Sequence, residues 1–214
     1  MNVKETLRYL GYKGCQADRQ TLSLVEDCWQ RLEETAVRRS CYQEYPLTFG
    51  ADGTLDLGCF RTASRDLRKN LKGCEAVVLF AATLGAAVDS LIRRYSRLEM
   101  ARAVVLQAAA AAMLEDYCDE INGEIRREYE RQGLFLRPRF SPGYGDFSLE
   151  CQPALLGGLE AGKRVGIALT EGFLMAPSKS VTAVIGVGAD KGCAASEGCG
   201  TCKKRDCAYR RGEI

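Results

Sequence analysis

Apolar residues in "RQTLSLVEDCWQRLEET" recur at spacings of three and four, with Leu22, Val25, Trp29 and Leu32 falling on one side of a helix. This is the second of two helices predicted over the first forty residues, separated at Gly11 to Gly14. The pattern then shifts. "SCYQEYPLTFGADGTLDLGCF" alternates, is rich in aromatics and carries an "ADG" turn, which predicts a β-hairpin. A short helix is predicted in "TASRDLRKNLKG", and "CEAVVLFAATLG" reads as a buried strand running into a glycine turn. From Thr83 to about Gln132 the chain is helical in character, with alanines packed at Ala108 to Ala112 and a break near "SRLEM". Another helix follows in "LLGGLEAGKRVG", and the last strand sets Ser180, Thr182 and Val184 on one face against Val181, Ala183 and Ile185 on the other. Helices and strands interleave without a regular strand-helix repeat. The prediction is an α+β fold, a mainly antiparallel sheet flanked by helices that include a long alanine-rich pair.

Composition narrows this picture. Of 214 residues, 46% are hydrophobic and 27% charged, as in a folded domain. The longest apolar run, residues 101 to 114, is interrupted by Arg102 and Gln107 and falls short of the roughly 18 to 20 residues a membrane span needs. The first residues lack the order of a secretory signal, so a cytoplasmic protein without membrane partners is expected, its eleven cysteines reduced or bound to metal. No histidine occurs anywhere. That excludes Ser-His-Asp and Cys-His nucleophiles and histidine-ligated metal sites. From Lys191 onward six basic residues face three acidic ones, while the whole chain carries only +2. The remainder is close to neutral, which speaks against nucleic acid as a partner.

Three features invite chemistry. "FAATLG" follows a strand and precedes a helix, but it has neither the G-x-G-x-x-G spacing nor the Gly-Lys-Ser/Thr of a phosphate loop, and tight strand-to-helix packing explains it. Glu115, Asp116, Asp119 and Glu120 cluster late in the alanine helix, where Glu115 and Asp119 share a side; a solvated face is one reading, and the buried character of the preceding turns supports another in which Glu115 points into a cleft. Cys193, Cys199, Cys202 and Cys207 form a C-x5-C-x2-C-x4-C array in a Gly, Ser and Lys-rich tail, a set of thiolates suited to zinc or an iron-sulfur cluster. Residues 1-190 are thus read as one domain and 191-214 as a basic, cysteine-rich tail.

The stretch "RPRFSPGYGD", taken with "LTEGFLMAPSKSV" further on, is the most specific signal. It resembles the activation domain of cobalamin-dependent methionine synthase. The family's R-x-x-x-G-Y element is met by Arg139, Pro142, Gly143 and Tyr144. Its later pattern is met by Leu169, Thr170, Glu171, Phe173, Met175, Pro177, Ser180 and Val181. Glu115 stands where the family carries a glutamate that helps hold the ligand.

The resemblance implies a module that binds S-adenosylmethionine and remethylates cobalamin. Arg139 would fork onto the ligand's carboxylate, Glu115 would meet its ammonium or sulfonium, and Phe140, Ser141 and Gly143 would present backbone to adenine. Tyr144 resembles the family tyrosine that lies toward the cobalamin, at the transfer step itself. The sequence begins at Met1 and holds no corrinoid-binding segment, so the resemblance implies a free-standing activator. Its partner would be a cobalamin-bearing methionine synthase or related corrinoid protein, with an electron donor such as a flavodoxin or ferredoxin. The alternative reading is a redox or iron-sulfur accessory protein that docks on a corrinoid methyltransferase without using S-adenosylmethionine.

Overall fold

The computed structural model describes residues 1–12 and 16–190. Helix α1 (Val3–Tyr9) is capped by the Asn2 side chain, which accepts from the Glu5 amide, and α2 (Arg19–Thr35) by Asp18, which accepts from Thr21. Strand β1 (Arg39–Pro46) follows, then three two-residue strands, β2 (Thr48–Phe49), β3 (Leu55–Asp56) and β4 (Arg61–Thr62). The Ser64 hydroxyl caps α3 (Arg65–Asn70), and the chain enters β5 (Ala76–Thr83), whose residues from Val77 onward are all buried. Gly85, at φ 84°, turns it into α4 (Ala86–Leu98); a Cβ there would lie 3.2 Å from the Val37 carbonyl, so tight packing accounts for this glycine. Glu99 is extended, at φ −155°, and breaks the helical run before α5 (Met100–Glu130). After β6 (Phe135–Leu136) come a 3-10 turn at Leu149–Cys151, α6 (Gln152–Gly158) and α7 (Ala161–Arg164). The hairpin β7 (Ala168–Leu169) and β8 (Met175–Ala176) then leads to β9 (Ser180–Gly188).

The chain forms two compact units, each assembled from three separated stretches. The first comprises Met1–Ser40, Ala82–Ile121 and Ala161–Val181. Its core joins Val25, Cys28, Trp29 and Leu32 of α2 to Val88 and Ile92 of α4 and to Leu106, Ala109, Ala110 and Met113 of α5. The α2 stripe is therefore buried as its periodicity predicts, with Leu22 half-exposed at its start. Helix α1 is fixed to α2 by the Trp29 indole N–H, which donates to the buried Thr6 hydroxyl at 2.9 Å. At the other end Asp89 of α4 accepts from both the amide (2.7 Å) and the hydroxyl (2.6 Å) of Ser178.

The second unit comprises, among the described residues, Cys41–Ala81, Asn122–Glu160 and 182–190. It holds most of a four-stranded sheet ordered β1-β5-β9-β6, with β6 antiparallel to β9 through Phe135↔Gly188 and Leu136↔Val187. A smaller antiparallel sheet, β2-β3-β4, stands beside it. The segment predicted as one hairpin is thus divided. The "ADG" turn does join β2 to β3, with Gly53 at φ 90°, but β1 pairs with β5. The buried β5 offers a long edge of backbone hydrogen-bonding groups, and those groups must be paired. Strand β9 lies between β5 and β6 in the sheet, and from Thr182 onward it is buried on both faces.

Candidate functional site

Strand β6 is short because Pro138 has no amide to continue the ladder. The chain nonetheless keeps following β9. The Arg137 amide donates to Gly186 at 2.8 Å, and Phe140 and Val184 exchange a reciprocal pair of hydrogen bonds at 2.9 Å. The Phe140 amide is therefore engaged by the sheet, and what this residue has to offer a ligand is its ring. Ser141 to Tyr144 then form a type II turn, with Pro142 at the second position, Gly143 at φ 93° at the third, and the Tyr144 amide bonded to the Ser141 carbonyl at 3.1 Å. A Cβ at Gly143 would lie 3.3 Å from Leu149 Cδ2 as well as straining the backbone. A second turn closes at once, as the Gly143 amide donates to Phe147 (2.7 Å) and the Phe147 amide to Tyr144 (3.0 Å).

This double turn carries Tyr144 outward. Its side chain is 63% exposed, yet it meets the Phe140 ring edge-on at 6.4 Å, and Phe140 in turn rests on the buried Phe147 at 6.2 Å. Leu149, 42% exposed, extends the same apolar rim. Arg139, half-buried with its Nη1 shielded from solvent, precedes this aromatic group on the strand. The structure thus brings Arg139, Phe140, Ser141, Gly143 and Tyr144 together on one segment of the second unit. Glu115 belongs to the first unit. It sits half-buried on α5, and its charge, after burial itself, helps to raise the pKa of Tyr9 above the usual phenol value. The residues of the "LTEGFLMAP" stretch also lie in the first unit, on the β7-β8 hairpin, whose tip exposes Leu174 and holds Phe173 at φ 60°. Cys193, Cys199, Cys202 and Cys207 lie outside the described residues; among the described residues no cluster of three or more acidic or thiol groups could hold a metal ion.

Asp146 is a further residue of this segment that spacing alone does not reveal. Its carboxylate accepts from the Ser64 hydroxyl at 2.5 Å and from the amides of Arg65 (2.9 Å) and Asp66 (3.1 Å), binding the double turn to the first turn of α3. The Asp146 amide answers by donating to the Asp66 carboxylate at 3.3 Å. These donors, the Ser64 hydroxyl first, hold the Asp146 carboxyl down at about 2. The chain offers only one hint, an acidic residue directly after Gly145, since its partners stand some eighty positions earlier.

No family model matches the chain, and no curated protein matches it. Among solved structures, the crystal structure of the MetH reactivation domain bound to AdoHcy aligns with a TM-score of 0.61 at 17% identity. The alignment covers 78% of this chain and 64% of that one, so this chain spans less than two thirds of that structure. At so low an identity the likeness is one of architecture, and it establishes that this chain has the α+β fold of the MetH reactivation domain.

Proposed function

We propose that this protein binds S-adenosylmethionine and acts as an activator that supports methyl transfer to the cobalamin of a separate methionine synthase. The observation that carries the reading is the Arg139 to Tyr144 segment. It is an R-x-x-x-G-Y element pinned to β9 and turned sharply at Gly143, on a fold whose solved counterpart holds AdoHcy, the demethylated form of the same ligand. The donor set suits that ligand. A guanidinium matches a carboxylate by two parallel hydrogen bonds, and aromatic faces suit both a flat adenine and a sulfonium. When bound, S-adenosylmethionine would supply an activated methyl group to reduced cobalt on the partner. The chain's own part is to hold and aim. Arg139 anchors the carboxylate end, Phe140 and Phe147 brace Tyr144, and the Pro142-Gly143 turn fixes Tyr144 at the exposed rim where a partner would approach. None of this needs an internal acid or base, consistent with a sequence that lacks histidine. The same lack leaves the chain without an imidazole to bind cobalt, so the cobalamin is assigned to the partner.

The test is calorimetric titration of S-adenosylmethionine into the full chain and its Arg139→Ala variant. Saturable binding is expected, weakened about tenfold to a hundredfold by the substitution, as for loss of a hydrogen-bonded ion pair. No binding by the wild-type chain would overturn the proposal, and equal binding by the variant would remove Arg139 from it.

A further inference from the structure

Along α3, whose first turn Asp146 ties to the double turn, the second unit has a concavity of about 480 Å³ lined by Phe49, Arg65, Arg68, Lys69, Lys72 and Gly73. Its four cations follow the i, i+3, i+4, i+7 spacing of one helical face, along α3 and the turn that succeeds it. Stripes of this kind on a surface helix are usually interleaved with acidic residues. Here the only ion pair made by any of the four among the described residues is a loose one, Arg65 to Asp146 at 3.6 Å, and that carboxylate is already committed to Ser64 and two amides. Lys69 and Lys72 are exposed and make no ion pair among the described residues.

Two observations show that the charge is arranged rather than merely solvated. Arg68 is held in place: its Nη1 donates to the carbonyls of Gly50 (3.3 Å) and Thr54 (3.1 Å), and its guanidinium lies 5.2 Å over the Phe49 ring. These neutral partners fix the group without cancelling its charge, and they leave its remaining N–H donors for a ligand. Behind Gly73 lies Arg137, 3% exposed, whose Nη2 and Nη1 donate to the carbonyls of Lys72 (3.2 Å) and Asp190 (3.4 Å). Its buried Nε has no hydrogen-bond partner, and none of its acceptors is charged. A guanidinium behind the wall that makes no ion pair among the described residues adds to the positive potential of the cleft.

We infer that this concavity binds a ligand carrying two or more adjacent phosphoryl groups, as in a nucleoside diphosphate or triphosphate. A single phosphate would reach only one end of a face that extends about 10 Å from Arg65 to Lys72. A chain of phosphoryl groups meets Arg68, Lys69 and Lys72 together, and the open concavity of about 480 Å³ has room for it.

The test uses inorganic pyrophosphate and tripolyphosphate as probes, titrated by calorimetry into the full chain at low and at physiological salt. Saturable binding at both salt levels is expected, tighter for tripolyphosphate, and weakened about tenfold or more in a Lys69→Ala, Lys72→Ala variant. Both lysines are exposed, so the variant should fold, which its circular dichroism verifies. A second variant, Arg93→Ala with Arg94→Ala on α4, removes the same net charge from another exposed face and should bind as the wild type does. Absence of binding, equal weakening in both variants, or binding only to an acidic protein and to neither probe would each overturn the inference.

Discussion

At the scale of single residues, the arginine and the tyrosine of the candidate site were legible, because the R-x-x-x-G-Y spacing lies within six positions. The residue that moors them was not. Asp146 works through Ser64, Arg65 and Asp66, and no local pattern reports a contact across such a separation. Its depressed pKa yields a pH prediction. A carboxyl at about 2 in the folded chain, against a usual value of 3.8, adds stability that is complete above the usual value and is lost as pH falls toward 2. Thermal melts of the wild type and an Asp146→Asn variant should therefore differ most near neutral pH and converge between pH ~4 and ~2. A constant difference across that range would mean that the carboxylate's charge has no part in holding the turn.

Among elements, periodicity located α2, the buried β5 and the break between α4 and α5, since each is encoded by neighbouring side chains. It joined β1 to the wrong partner. Alternation marks a strand, but the choice between β2 and β5 as its neighbour depends on which backbone edge is left unpaired once the sheet forms. The docking of α1 is likewise a tertiary event, and it rests on one polar contact inside an apolar setting. Thr6→Val retains the shape and removes the acceptor of the Trp29 indole, leaving a buried N–H unsatisfied. The expected loss is about 1 to 3 kcal/mol in urea denaturation. Trp29 is the only tryptophan, so its fluorescence reports the change directly.

For the whole molecule, fold class followed from irregular interleaving of helices and strands, whereas the division into two units did not. Each unit draws on three stretches far apart in the chain, and such an assembly has no compositional boundary to detect. The cysteine count, read as reduced thiols, acquires a spatial sense here. None of the six described cysteines forms a disulfide, and Cys28, Cys41, Cys74 and Cys118 are buried. Burial pushes the Cys28 thiol up to about 11, so at pH ~8 it stays protonated and out of reach. Brief treatment of the native protein with a thiol reagent, followed by peptide mass analysis, should leave Cys28 unmodified until denaturant is added. Rapid labelling of Cys28 in the native state would contradict the packing of α2 against α5.

The double turn has one more consequence, which concerns time rather than geometry. Its amides at Gly143, Tyr144 and Phe147 are each bonded to a carbonyl within the same seven residues, and the ring above them faces water. In deuterated solvent those three protons should persist well beyond those of an ordinary surface loop, and their release marks the moment the whole turn opens. The exchange rate of three amide protons thus becomes a clock for how long Tyr144 stays aimed.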